Sequence, residues 1–197
     1  MSIAAPIATS APAPRRFSFL KKMLLVFAVI AMALIVIVML QPEDYRVERS
    51  ATMAAPPSAP FALVNDFHNW EQWSPWAKLD PNMTVKFEGP TSGVGAVYSW
   101  VGNSEVGEGR MEILESKPHE MIRIKLEFVK PFASMCDTVY TFKPDGSNTT
   151  VKWAMSGKNN FMSKAFHLAM NIDKLVGGDF EKGLASMKSL VEAKPKE

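Results

Sequence analysis

The chain is poor in the residues that most often carry chemistry. It holds one cysteine, Cys136, so no intrachain disulfide is available. A domain facing an oxidising compartment would have to be held by its core alone. The three histidines, His68, His119 and His167, lie far apart, with no H-x-E, H-E-x-x-H or C-x-x-C companion. That excludes the common metal-ligand spacings. No G-x-S-x-G stretch is present, and Cys136 has no evident activating neighbour. In "GVGAVY" Tyr98 stands where a dinucleotide fingerprint needs its third glycine, so Gly93–Gly95 reads as a turn. No catalytic residue, metal set or cofactor motif emerges.

Charge is also scarce at one end. Residues 23–40, "MLLVFAVIAMALIVIVML", contain no charged or strongly polar side chain. Eighteen such residues reach the lower limit for crossing a bilayer core as a helix. Phe17, Phe19 and Leu20 extend the stretch past Lys21 and Lys22, whose ammonium groups can snorkel. Arg15, Arg16, Lys21 and Lys22 precede it, and "QPEDYRVER" of mixed charge follows. Excess Lys and Arg stay inside, which puts the N-terminus in the cytoplasm and the rest outside, in the periplasmic or extracytoplasmic space. No A-x-A site follows Leu40, so the reading is an uncleaved signal anchor over 21–41 rather than a cleaved signal peptide. Residues 1–20 read as a disordered, basic cytoplasmic tail, and 42–197 as the outer domain.

Residues 1–40 hold four Lys and Arg and no acid. From totals of 22 and 20, the outer domain keeps 18 basic against 20 acidic residues, a net charge of −2. With no basic stripe, it is not built for nucleic acid.

Within the outer domain "YRVERSATM" alternates, with Tyr45, Val47, Ala51 and Met53 on one face of a strand. Ser58 is the expected N-cap of a short helix with Pro60 in its first turn. "FHNWEQW" forms another turn or two, stopped by Ser74-Pro75. Six strand-like runs follow, among them "MIRIKLEFV", separated by short turns such as "KPDGSN". Such spacing predicts an antiparallel meander. "FMSKAFHLAM" is helical, and Val176, Phe180, Leu184, Met187 and Val191 then form one apolar stripe of a long final helix. Gly177-Gly178 weakens that helix by about 1 kcal/mol each relative to alanine. The order predicts an α+β fold: a curved antiparallel sheet wrapped around a long C-terminal helix, after one transmembrane helix.

These stretches resemble the SRPBCC superfamily, the START, birch-pollen-allergen and polyketide-cyclase group. The resemblance rests on "YRVERSATMAAPPSAPFALVNDFHNWEQWSPW", "GVGAVYSWVGN", "GRMEILESKP", "VKWAMSGKNNF" and "DFEKGLASMKSL", over roughly Tyr45 to Glu192. Pro60 departs from the usual non-proline in the first short helix. The resemblance implies a helix-grip fold with a hydrophobic cavity between sheet and helix, often holding a lipid, polyketide or other apolar ligand.

Three of the five tryptophans fall in "NWEQWSPW". Trp70 and Trp73 share a helix face, and Trp76 can fold back onto them. They read first as core packing and second as lining of the cavity mouth. Trp100 and Trp153 are equally good cavity walls. Strand positions Ile124, Leu126, Phe128, Tyr140 and Met155, with Phe180 and Leu184 on the helix, complete the candidate lining. His68 reads as a surface or capping histidine. Asp66, Glu71, Asp80, Glu105, Glu112 and Asp137 read as solvated acids.

The sequence thus predicts membrane-anchored binding of an apolar small molecule or lipid, without cofactor, metal or nucleic acid. Membrane contact is made through residues 23–40. The rival readings are a polyketide cyclase or dehydratase-like enzyme and a non-enzymatic stress or protein-interaction module. A phosphatase reporter fused after Glu197 should be active only in the exported orientation. An inactive phosphatase fusion beside a fluorescent cytoplasmic reporter would reverse the topology.

Overall fold

A computed structural model describes residues 16–131 and 133–193. Residues 1–15 of the tail read over 1–20 lie outside them. Two compact units result, 1–41 and 42–197. The first is the helix α1, Arg16–Met39. Its stretch Phe19–Met39, with mean hydropathy 2.9, has the length and composition to cross a membrane, as a signal sequence also does. The helix begins at Arg16, five residues before the boundary at residue 21 read from hydropathy.

The second unit runs β1 (Asp44–Met53), α2 (Ser58–Asn65), a 3-10 turn (Phe67–Asn69), α3 (Trp70–Trp73), β2 (Thr84–Glu88) and β3 (Val97–Val101). It continues with β4 (Glu108–Lys117), β5 (Met121–Lys130), β6 (Ser134–Asp145), β7 (Asn148–Lys158), α4 (Phe161–Ala169) and α5 (Ile172–Glu192). The strands form one sheet, ordered β1-β7-β6-β5-β4-β3-β2 and antiparallel throughout. Consecutive strands pair as hairpins, while β1 joins β7 at the far edge. This is the helix-grip architecture.

Alternation decides which face holds the core. On β6, Cys136, Thr138, Tyr140 and Phe142 are buried while their neighbours are more exposed. Ile122 and Ile124 on β5, and Val151, Trp153 and Met155 on β7, line the same face. Phe180, Leu184 and Met187 of α5 close over it. The other face carries exposed ion pairs such as Lys152–Glu48 and Lys125–Glu127, worth little individually.

One local expectation needs correction. Ser58 does not cap α2: Pro57, in helical geometry, holds the cap position without a side-chain bond, and Ser58 is already helical. The extra turn comes from Pro56 and Pro57, whose carbonyls accept from Ala59 and Phe61. Buried Pro60 is tolerated because the first four N–H groups of a helix have no intrahelical partner. The long helix α5 runs through Gly177-Gly178. A Cβ at Gly177 would collide with the Arg49 guanidinium, which bonds Glu181 at 2.7 Å and Asp173 at 3.0 Å. Glycine there lets β1 and α5 join by an ion-pair cluster.

Gly183 has the same logic against a rigid neighbour. Its Cβ would sit 2.8 Å from the Trp153 ring and 3.2 Å from Pro75. At Gly178 nothing lies within 4 Å. Gly178→Ala should therefore stabilise the outer domain by about 0.5–1 kcal/mol, through helix propensity alone. Gly183→Ala should destabilise it by about 1–3 kcal/mol, through overpacking. Urea denaturation midpoints moving in the same direction for both would contradict this packing of α5.

Candidate functional site

The tryptophan cluster begins as a backbone problem. The last four carbonyls of a helix lack intrahelical partners. In α2 each one finds a donor. Ala62 O accepts from Asn69 Nδ2 at 3.1 Å, and Leu63 O from Trp73 Nε1 at 3.0 Å. Val64 O accepts from Trp70 Nε1 at 3.1 Å, and Asn65 O from the Gly93 N–H at 2.9 Å. The indole N–H groups are thereby satisfied and their rings are aimed inward.

Those rings meet the sheet. Trp70 and Trp73 are buried, with centroids 4.9 Å apart, and both pack edge-on against Tyr140. Trp73 and Trp76 meet Trp153 at 5.6 and 5.8 Å. Phe180 of α5 stacks on Trp153 at 4.0 Å, nearly parallel. Tyr140, Trp153, Phe180 and Leu184 are all at most 2% exposed, and Trp76 is half-buried. Of the candidate residues, Trp70, Trp73, Trp76, Tyr140, Trp153 and Phe180 are thus brought together in one seam between sheet and helix. Ile124, Met155 and Leu184 are buried in the same core.

Trp100, Leu126 and Phe128 lie apart from this seam. Trp100 donates to Val106 O at 2.9 Å and meets Phe128 edge-on at 6.0 Å. Leu126 and Phe128 are only half-buried. In register, Leu126 pairs with Cys136, Cys136 with Gly157 and Gly157 with Tyr45. This end of the concave face is therefore the end from which β1 starts and at which β7 finishes.

The fully buried polar atoms of the concave face are few and neutral. Two of them, Tyr140 Oη and Trp153 Nε1, are buried without a hydrogen-bond partner. Burial raises the Tyr140 hydroxyl well above its usual range. Burial also pushes the Cys136 thiol up to about 11, despite its hydrogen bond with Tyr45. It is thus a protonated thiol at neutral pH. Gly157 makes room for this pair, since a Cβ there would lie 2.8 Å from Tyr45 Oη. Thr138 is buried on the same face.

His68 sits elsewhere, bonded to Asp66 at 2.7 Å and stacked on Phe87 at 4.0 Å. The pair borders a surface pocket of about 190 Å³ together with Glu88 and Thr91. Asp80 differs from its reading as a solvated acid. It is buried and accepts from the Asn82 and Asn103 N–H groups, tying two loops together. Among the described residues no group of three or more His, Cys, Asp or Glu side chains could hold a metal ion.

Arg49 is the functional-site neighbour that alternation hides. It stands in phase with Tyr45, Val47, Ala51 and Met53, yet is charged. An in-phase charge on an otherwise apolar strand face is the signal that a partner waits on the covering helix.

The chain belongs to the polyketide cyclase / dehydrase and lipid transport family, whose model matches residues 44–192. No curated protein matches it. Solved structures with the same fold include a protein from Chromobacterium violaceum, 18% identical, with a TM-score of 0.55 over 78% of this chain and 100% of that one. The Aha1 dimer from Colwellia psychrerythraea is 12% identical, with a TM-score of 0.55 over 77% of this chain and 99% of the other. The di-domain ARO/CYC protein BexL from the BE-7585A biosynthetic pathway is 14% identical, with a TM-score of 0.56 over 90% and 61% of the two chains. These likenesses establish the fold.

Phe180→Ala and Leu184→Ala should each destabilise the outer domain by about 2–5 kcal/mol, from lost burial and the cavity left behind. Urea midpoints equal to wild type for both would show that α5 does not cover the sheet.

Proposed function

We infer that the outer domain binds an apolar small molecule or lipid in the seam between sheet and α5, while α1 anchors it to the membrane. The observation that carries this reading is the unpartnered pair Tyr140 Oη and Trp153 Nε1. Leaving a buried donor unpaired costs about 1–3 kcal/mol. Two such groups amid aromatic rings suit a ligand with an apolar body and one accepting atom, such as a carboxyl or carbonyl oxygen. The family description, which includes lipid transport, points the same way.

The rings fill the seam, so a ligand enters only when the grip opens. Polar ties hold α5 along β1: Arg49 to Asp173 and Glu181, Lys188 Nζ to Thr52 O at 2.7 Å, and Ala54 N–H to Glu192 at 2.6 Å. The flank of α5 away from β1 has apolar contacts, with Trp76 over Phe180. Opening there, around a hinge on the β1 side, breaks no ion pair. Half-buried Leu126 and Phe128 mark the less covered end.

Binding is favoured over cyclase-type catalysis by the chemistry of the seam. Its polar atoms are a tyrosine hydroxyl, an indole N–H, a threonine and a protonated thiol, with no carboxylate or imidazole poised as a base.

A fluorescent polyene fatty acid titrated into the protein should quench tryptophan emission. Tyr140→Phe should stabilise the free protein by about 1 kcal/mol, by removing an unpaired hydroxyl, yet weaken fatty-acid binding by roughly 2–10-fold. Trp153→Ala should weaken it further, and the exposed change Lys182→Ala should leave it unaltered. Unchanged affinity in Tyr140→Phe, or no binding of the probe up to its solubility limit, would reject the seam as the ligand site.

A further inference from the structure

The helix α4 carries an apolar face that the domain does not use. Phe161, Met162, Phe166 and Leu168 are between 44% and 61% exposed, and Met170 just beyond the helix is 44% exposed. At 100° per residue the four helical positions fall within one arc less than half the circumference, with Ser163 and Lys164 on the opposite side. A soluble domain normally turns such an arc inward. Here it faces outward, on a helix that Asn160 caps through Ser163 N–H at 2.8 Å.

The place of α4 in the chain identifies what covers it. Residues just before α4 are bonded to those just after the anchor. Asn159 N–H donates to Glu43 O at 2.6 Å, and Asn159 Nδ2 donates to Pro42 O at 3.2 Å. The apolar span ends at Met39. Three residues of chain reach at most about 10 Å, so Pro42, and with it Asn159, is tethered to the edge of the lipid by covalent length alone. Phe161 follows two residues later. Charge agrees: no acidic residue occurs between Asp145 and Asp173, whereas Lys158, Lys164 and Lys174 flank or belong to α4.

We propose that α4 is a second membrane contact: an interfacial helix that lays Phe161, Met162, Phe166 and Leu168 into the lipid headgroup–acyl boundary beside the anchor. Nine residues would bind a bilayer weakly by themselves. Tethering makes the contact intramolecular, and a weak helix then suffices. With α1 and α4 both engaged, the β1-start, β7-end side of the sheet is held toward the lipid. That is the end where Leu126 and Phe128 are half-buried, so an apolar ligand passes between bilayer and grip without crossing bulk water.

The inference rests on α1 being a membrane anchor, and the experiment separates the two. Full-length protein carrying one added cysteine, Met162→Cys, Phe166→Cys, Val29→Cys in the span or Lys182→Cys on the exposed side of α5, is labelled with an environment-sensitive fluorophore. Native Cys136 is 4% exposed and is spared under native conditions. Each variant is reconstituted into phosphatidylcholine–phosphatidylglycerol nanodiscs, one chain per disc, with and without lipids bearing a nitroxide, placed at mid-bilayer depth for the label at 29 and shallow for the other labels. Labels at 162 and 166 should be blue-shifted and lose at least about half as much emission as the label at 29, while the label at 182 stays unquenched. Quenching at 29 with none at 162 and 166 overturns the inference and leaves the anchor standing. No quenching at 29 removes the anchor, and the inference with it. Blue shifts at 162 and 166 that arise only in vesicles holding several chains assign the face to a second copy and also overturn it.

Discussion

The end of α2 sets the geometry on which the rest of the outer domain depends. Its four terminal carbonyls each need a donor, and the buried one at Val64 would cost about 1–3 kcal/mol if left unpaired. Two of the four donors are indoles. An indole can satisfy a carbonyl only by placing its ring within a few ångströms of it, so capping α2 also positions Trp70 and Trp73. Once there, the rings present their edges to Tyr140 and Trp153, and Trp153 in turn presents a face to Phe180. A hydrogen-bonding requirement is thereby converted into an aromatic seam. Trp70 and Trp73 of "NWEQWSPW" are buried core packing, the first of their two readings, and they also cap a helix.

How tightly α5 sits on that seam is decided by glycine. Gly183 lets the helix axis approach Trp153, and Gly177 admits a guanidinium between helix and strand. The two flanks of α5 are consequently unequal. Along β1 the helix is fastened by charged and backbone hydrogen bonds, strong in directional terms. Toward the rings it is held by contact area, which is non-directional and tolerates sliding. Such asymmetry favours motion about the β1 side, the motion that a filled seam requires before it can accept anything.

Periodicity made the architecture legible before any coordinates. Strict alternation in "MIRIKLEFV" and the 3.6-residue stripe from Val176 to Val191 are direct projections of burial onto sequence, so strands and final helix were readable. Details that depend on a partner distant in sequence were not. Ser58 obeys the capping rule, but the prolines before it extended the helix by a turn. Gly177 carries a helix penalty in any local scale, and only Arg49, 128 residues earlier, explains it. Asp80 has the composition of a surface acid, yet two loop N–H groups draw it inward. The candidate lining divided for a similar reason. Alternation identifies which residues face inward, but depth along the strand decides whether they meet α5. Trp153 meets it, whereas Leu126 and Phe128 stay half-buried.

If α1 is the anchor proposed above, the energetics of grip and α4 can be compared with those of the lipid. Apolar ligands of membrane origin pay for leaving lipid in proportion to the area wetted, about 25 cal/mol per Å². A domain floating free would impose that cost in full, since the ligand would be wetted between leaving the bilayer and entering the grip. On the proposed reading Asn159 shortens that exposure, because it joins the β7–α4 turn to Pro42, three residues past the end of the apolar stretch. The bond is modest, but it ties the entrance of α4 to the start of the outer domain. A domain so tethered needs only a shallow, reversible opening of α5 for exchange, and an aromatic seam closed by dispersion contacts rather than ion pairs is suited to open and close repeatedly.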